Sequence, residues 1–362
     1  MREGHQIVDV HVHFSLTERR WREPSPFEFE RDDRLPCSAY ISRRQMGRLF
    51  SRIARRYVLR GQESFAGDLD AAFEQWQFKH LLEFEHVDRV VLLAFDEVYD
   101  DAGAPRGPAT RRGEFATDMY VSNGLIHELC RRHPDRFLFG ASIHPYRMHG
   151  RQNAVELLDE VAAAGAVLIK WLPTVQNIDA SDPRSIAFLR RCAELRLPVL
   201  AHYGTEFTLV TNNAAAADPG PMLSALRKLR DEGAMPTVIV AHVATPMLWP
   251  VCSAAYHRTL LDALAGEFAD QPLYADISGF TSPSKLHWLK SLLRRPEIWP
   301  KLVNGSDFPI PAASFLLRRR LRNGYKEIMA AQSWIDRDYL IKRTLGLPDS
   351  VFARAATLLR LQ

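Results

Sequence analysis

The sequence predicts an α/β protein, a (β/α)8 TIM barrel with a helical insertion after strand 1 and extra C-terminal helices. Three observations predict it. Eight short apolar runs alternate with segments of helical period. From the third run onward they begin roughly 30–40 residues apart, the length of one βα unit. The polar residues that interrupt them stand near their C-terminal ends, the face on which such barrels carry their chemistry.

The runs, in order, are Ile7–Phe14, Val87–Phe95, Phe137–His144, Ala166–Leu172, Pro198–Tyr203, Thr237–His242, Leu273–Ser278 and Leu302–Ser306. Most are apolar throughout rather than alternating, as parallel strands covered on both faces must be. The helical segments between them have recognisable stops. Val155–Ala164 ends at Gly165, Ile186–Leu195 ends before Pro198, and Met222–Glu232 ends at Gly233. A doubly wound sheet is the competing topology, but it would carry a glycine-rich first turn, and none follows Phe14.

Two stretches break the regular spacing. Residues 15–86 separate the first two strands and contain a polar, proline-bearing piece (Arg19–Pro36), a basic helical piece (Arg43–Arg60) and a long helix (Leu69–Phe84). An insertion there rises from the C-terminal rim and is placed to cap a site. Residues 313–362 supply the last barrel helix and further C-terminal helices, so the whole of 1–362 reads as one barrel domain. The arginines at 318–320 and 322 read as a solvated helix face.

Composition excludes several classes. With 46% hydrophobic and 25% charged residues the chain has ample core, and 47 basic against 43 acidic residues leave a net charge of +4. That balance argues against nucleic acid or an anionic membrane as partner. No apolar stretch approaches a membrane span, and the N-terminus enters a strand at once, so a cytoplasmic location is expected. Cys37, Cys130, Cys192 and Cys252 show no paired spacing, which predicts neither disulfides nor a cysteine metal site. The insertion and the apolar C-terminal segment leave room for a homo-oligomer interface. The expected ligand is a small-molecule substrate.

The rim residues carry the chemistry. Strand one contributes Asp9, His11 and His13, spaced so that simple alternation puts all three on one face. Strand three gives His144 and strand four Lys170; strand five ends at His202 and strand six at His242. Strand eight runs into Asn304-Gly305-Ser306-Asp307-Phe308-Pro309. Among 13 histidines a His-x-His pair alone is unspecific, and a lone histidine in an apolar strand is ordinarily a hydrogen-bonded core residue. Several polar groups converging inside one barrel mouth instead need a common partner. A divalent cation satisfies imidazoles and carboxylates together, with zinc favoured by ligand type and manganese, iron or cobalt as alternatives.

Taken in order, His-x-His on strand one, histidines closing strands five and six, and Gly-Ser-Asp-x-Pro closing strand eight resemble the amidohydrolase superfamily. The match is with its amidohydrolase-2 branch of metal-dependent hydrolases and decarboxylases, over residues 5–312. The resemblance implies His11, His13, His202 and Asp307 as metal ligands. It implies His242 as either a second-metal ligand or the histidine that orients water and substrate, and Asp307 as the base toward the attacking water. Three roles are open to Lys170: a carboxylated lysine bridging two ions, an ammonium that binds a substrate carboxylate, or a structural ion pair. The candidate catalytic set is thus Asp307, His242 and Lys170, around one or two ions, Zn2+ first.

The leading expectation is hydrolysis of an amide, lactone or ester-like bond. Non-oxidative decarboxylation of an aromatic or unsaturated carboxylic acid is the alternative the resemblance allows. A non-catalytic binding barrel would lack ligands that are present here. His144 is read as either a rim contact or a substrate contact, Asp9 as either a support behind the metal ligands or a structural residue, and Asp96, Trp171, Tyr203 and Phe280 as either pocket lining or packing.

Overall fold

The eight barrel strands are β1 (Val8–His13), β2 (Arg89–Leu93), β3 (Phe137–Ala141), β4 (Leu168–Trp171), β5 (Val199–His202), β6 (Val238–Ala241), β7 (Leu273–Asp276) and β8 (Leu302–Val303). They form one parallel sheet in chain order. Its edges meet. Val10 N donates to Asn304 O at 3.1 Å, His13 N to Phe308 O at 2.9 Å and Asp307 N to His11 O at 2.9 Å, which closes the TIM barrel. The computed structural model describes residues 6–31, 36–49, 51–52, 56, 68–205, 208–246, 253–322 and 324–361.

Side chains divide by strand face. Val8, Val10, Val91, Leu93, Leu168, Leu200, Ile239 and Val303 fill the barrel interior, joined by Ala355 and Leu359 from the final helix region. The opposite faces, among them Val90, Leu92, Ile169, Val199 and Val240, pack against the surrounding helices. Each strand is therefore covered on both sides, which is why alternation is weak in the sequence.

Strand β1 departs from simple alternation. Asp9 pairs with Val90 and Val12 with Leu92, so β1 holds one extra residue between them. This bulge inverts the parity of the strand: Val8 and Val10 face the interior below it, whereas Val12 and Phe14 join the outer layer above it. His11 and His13 thereby take the inner face at the rim. The expectation that Asp9 shares their face is corrected by the same bulge.

Helices start and stop where the sequence indicates. Asn153 and Glu156 form a reciprocal cap on the helix Ala154–Ala163, and Gly165 follows it at φ 87°. Asp182 caps Pro183–Leu195, and Gly233, at φ 70°, follows Gly220–Asp231.

The segment after β1 is not wholly helical. Cys37–Ile41 pairs with Glu18–Arg20 on one side and Met119–Val121 on the other in a small antiparallel sheet, so residues between β2 and β3 also build this layer. The helices Arg43–Met46 and Leu69–Leu82 follow, and residues 50, 53–55 and 57–60 of the basic piece lie outside the described residues. Buried Glu30 fastens the layer to the barrel by accepting from the backbone N–H groups of Asn123 (2.6 Å) and Gly124 (2.9 Å). Gln45 Nε2 donates to Thr208 O at 2.6 Å, tying the segment to the loop after β5. At the C-terminus, helices Trp334–Thr344 and Asp349–Leu358 follow short helical turns. Cys37, Cys130 and Cys192 are buried free thiols; Cys252 lies outside the described residues. Among the described residues no helix is long and apolar enough to cross a membrane.

Candidate metal centre

The rim cluster is built around His11. Its Nδ1 lies 2.8 Å from Asp276 Oδ2, a carboxylate that ends β7 and is fully buried. That partner fixes the proton on Nδ1 and turns the Nε2 lone pair into the barrel mouth. His242 is held the same way: its Nδ1 faces Ser278 O at 2.9 Å, and its backbone N–H donates to Asp276 Oδ1 at 2.8 Å. Its ring stacks on His11 with centroids 5.1 Å apart, and His202 stands edge-on to it at 5.0 Å.

Asp307 joins the two sides. Its Oδ1 lies 3.3 Å from His13 Nε2 and 3.7 Å from His11 Nε2, and its Oδ2 lies 3.7 Å from His242 Nε2. Donor atoms of His11, His13 and Asp307 all fall within 4.8 Å of one another. A second such group, His11, His242 and Asp276, is better read as scaffold, because Asp276 is already taken up by His11 Nδ1 and by the backbone N–H of His242 and Ser278.

Electrostatics agree with neutral imidazoles. Burial, aided for His11 by the Lys170 charge and for His242 by that of Lys285, holds both histidines well below the usual range. Unprotonated nitrogens and a carboxylate oxygen gathered this closely are all acceptors, and a divalent cation is the partner their chemistry suits. Lys170 Nζ is buried and lies 3.0 Å from His11 Nε2, the nitrogen that faces the cluster.

Local backbone conformation is specialised here. His242, Val243 and Ala244 have φ of 54°, 51° and 49°, and Asp307 has φ 64°, a region that costs non-glycine residues energy. Gly279, at φ 68°, passes so near that an added Cβ would sit 3.2 Å from Asp307 Oδ2.

All six residues expected at the centre, His11, His13, Lys170, His202, His242 and Asp307, are brought to one rim. The remaining candidates are not part of it. His144 is fully buried, with Nδ1 accepting from Tyr146 N at 3.1 Å and Nε2 facing Gln176 O at 2.8 Å. Asp96 pairs with Arg147 and accepts from His144 N. Asp9 accepts from the backbone N–H of His11 (3.0 Å) and Ser306 (2.9 Å), bracing the closing seam of the barrel. Trp171 donates to Ile143 O and packs on Phe188; Tyr203 and Phe280 are buried in the same outer layer. Sequence reasoning missed Asp276 and Ser278, although a polar residue closing the apolar run of β7 was the available signal.

The cluster borders a cleft whose wall includes His202, His242, Asp307, Thr208, Ser282 and Lys285.

A closed parallel barrel with a histidine and aspartate cluster at its C-terminal rim places the chain among barrel enzymes. More specifically, it belongs to the amidohydrolase family, whose sequence model matches residues 8–315. Among curated proteins none matches. Among solved structures, an uncharacterised TIM-barrel protein from Bordetella bronchiseptica aligns with a TM-score of 0.56 at 13% identity, covering 98% of each chain. A candidate 2-pyrone-4,6-dicarboxylic acid hydrolase from Pseudomonas putida aligns at 0.50 and 15% identity, over 98% of this chain and 97% of that one. The 5-carboxyvanillate decarboxylase of Sphingomonas paucimobilis aligns at 0.49 and 12%, over 99% and 100%. At these identities the likeness is one of fold.

Proposed function

We propose that this protein is a metal-dependent hydrolase that opens an amide, lactone or ester-like bond of a small molecule. The observation that carries this reading is the convergence of His11 Nε2, His13 Nε2 and Asp307 Oδ1 with His11 oriented from behind by Asp276. His11, His13, His202 and Asp307 would hold the ion, with zinc first by ligand type and His242 beside them. When bound, a divalent cation supplies Lewis acidity, polarising a carbonyl and acidifying water.

The chain's own groups do the rest. Asp307 reaches both His13 and His242 with its two oxygens, so it is placed to accept a proton from water on one side and return it to the leaving group on the other. His242, kept neutral and fixed by Ser278 and Asp276, orients the reacting carbonyl group. Water adds to the carbonyl carbon, the bond to the leaving nitrogen or oxygen breaks, and the proton held by Asp307 neutralises that atom.

Lys170 favours hydrolysis over decarboxylation. An ammonium 3.0 Å from a ligand nitrogen would repel an ion held there; loss of one proton to give the free amine, then addition of that amine to carbon dioxide with loss of a second proton, would leave an anionic carbamate that attracts a cation. The resemblance to binuclear hydrolases runs through a lysine at this strand end.

The test is a screen of small amides, lactones and carboxylic acids with wild-type protein and Asp307→Asn, read for both hydrolysis product and carbon dioxide. Hydrolysis that Asp307→Asn abolishes supports the reading. Carbon dioxide release without hydrolysis moves the assignment to a decarboxylase.

A further inference from the structure

The helix Trp334–Thr344 contributes no strand and no ligand, yet two of its charged side chains, Asp338 and Lys342, are buried. They stand one helical turn apart and form an ion pair. Lys342 Nζ also donates to Gly305 O at 2.7 Å, in the turn that carries Asp307. Asp338 Oδ1 accepts from Thr281 Oγ1 at 2.7 Å, in the loop after β7. One pair thus holds two rim segments at once. We propose that Asp338 and Lys342 are positioning residues for Asp307: from the C-terminal helix they fix the two segments that aim its carboxylate at His11, His13 and His242. This rests on the reading of the cluster as a metal centre and extends its machinery to a helix that touches no ion.

The Asp307 turn needs holding. Its φ of 64° costs a non-glycine residue energy and persists only where surrounding contacts over-determine it. Ser306 N donates to Asp9 Oδ1 at 2.9 Å, and Gly279 N to Ser306 O at 3.0 Å, which joins the turn to the loop after β7. Gly305 passes so close to its neighbours that an added Cβ would stand 3.0 Å from His11 Cβ and 3.1 Å from Ser278 Cβ. Lys342 grips the carbonyl of this same residue, so moving the ammonium moves the turn against His11. On the other side, Ala313 N donates to Thr281 O at 2.8 Å, so the chain leaving β8 is tied to the residue that Asp338 holds.

Stability alone does not call for such a pair. Burying two charges is costly, and an apolar pair of similar volume is often as stable or more so. An apolar pair cannot supply the two directional contacts, a donor for Gly305 O and an acceptor for Thr281 Oγ1. Both of those groups are buried, and each would lose a charge-assisted partner. A helix also sets a contact more precisely than a loop does, which suits a carboxylate that must reach histidines on two sides.

The experiment compares full-length wild type with Lys342→Met/Asp338→Asn, which removes both charges and strands neither, and with Thr281→Val, which removes one hydroxyl. Hydrogen exchange of zinc-free protein, read by mass spectrometry, should quicken by about tenfold at residues 305–308 in the charge variant and at 279–282 in Thr281→Val, with β4 across the barrel unchanged. Zinc affinity, from competition with a chelating dye, should fall by about 10- to 100-fold in the charge variant. In an Asp307→Ala background the same change should cost less than about twofold, because the group being positioned is gone. An equal loss in both backgrounds would overturn the proposal and make the pair a structural anchor. Unchanged exchange in both segments, or equal quickening in β4, would overturn it too. Should the charge variant not fold, Thr281→Val carries both measurements under the same criteria. Failure of wild-type protein to bind zinc would instead overturn the metal-centre reading, while exchange of the zinc-free protein still decides whether the pair holds the turn.

Discussion

Asp276 Oδ2 and His11 Nδ1 are 2.8 Å apart with both side chains buried, and this contact sets which nitrogen of His11 faces the barrel mouth. The same carboxylate accepts from the backbone N–H of His242 and Ser278, so one residue at the end of β7 orients two histidines. Asp276→Ala is expected to weaken metal affinity by about 10- to 100-fold, the usual effect of losing the group behind a ligating histidine. Competition with a chelating dye checks it, with far-ultraviolet circular dichroism to confirm the fold.

Asp307→Asn keeps the size of the side chain but loses its basicity. Turnover should fall by about 100- to 10,000-fold, the range for a general base, with little change in thermal midpoint. Steady-state kinetics and a melting curve on the same preparation test this.

Lys170 gives a chemical signature. Reconstitution with bicarbonate present should raise metal content to two ions per chain and raise activity with it, and Lys170→Met should be indifferent to bicarbonate. One ion per chain at full activity, with no bicarbonate effect, would exclude the carboxylated form.

Gly279→Ala tests how tightly the loop after β7 confines Asp307. A side chain at φ 68° costs about 1–2 kcal/mol, and the new Cβ would stand 3.2 Å from Asp307 Oδ2. Stability should drop by that amount in urea titration, and activity should drop by more than the fraction unfolded explains.

Much of this was legible in the sequence because several polar groups at the ends of successive apolar strands need a common partner, although one imidazole alone would not. His11, His13, His202, His242 and Asp307 stood out for that reason, and the barrel followed from the spacing of the runs around them. Asp276 carried the same signal at the end of β7 but a weaker one, since an aspartate entering a turn is ordinary. Lys285 and Ser282 sit in a turn of mixed polar residues, where sequence offers no period to read. The bulge in β1 was hidden as well: Val8 to His13 alternate without a break, and only pairing with β2 shows the extra residue that separates Asp9 from the face of His11 and His13.

Acid sensitivity should come in part from histidines outside the cluster. Burial lowers His144 to about 4 from an ordinary 6.5, and His80 and His257 likewise to about 4. The unfolded chain takes up protons below pH 6.5 that the folded chain refuses until pH 4, so stability is complete above that window and falls as pH drops through it. Each such shift corresponds to roughly 3 kcal/mol across the window. Urea unfolding of chelator-treated protein at pH 7 and pH 5 should show the loss, and His144→Asn should show a smaller difference between the two.

The central claim is that His11, His13 and Asp307 meet around a bound divalent ion, and elemental analysis of purified protein tests it most directly. After growth with zinc and removal of loosely held metal, wild-type protein should retain one or two ions per chain, and a folded His11→Ala/His13→Ala variant should retain almost none. A wild-type protein free of metal, or a double variant that keeps its full complement, would contradict the account.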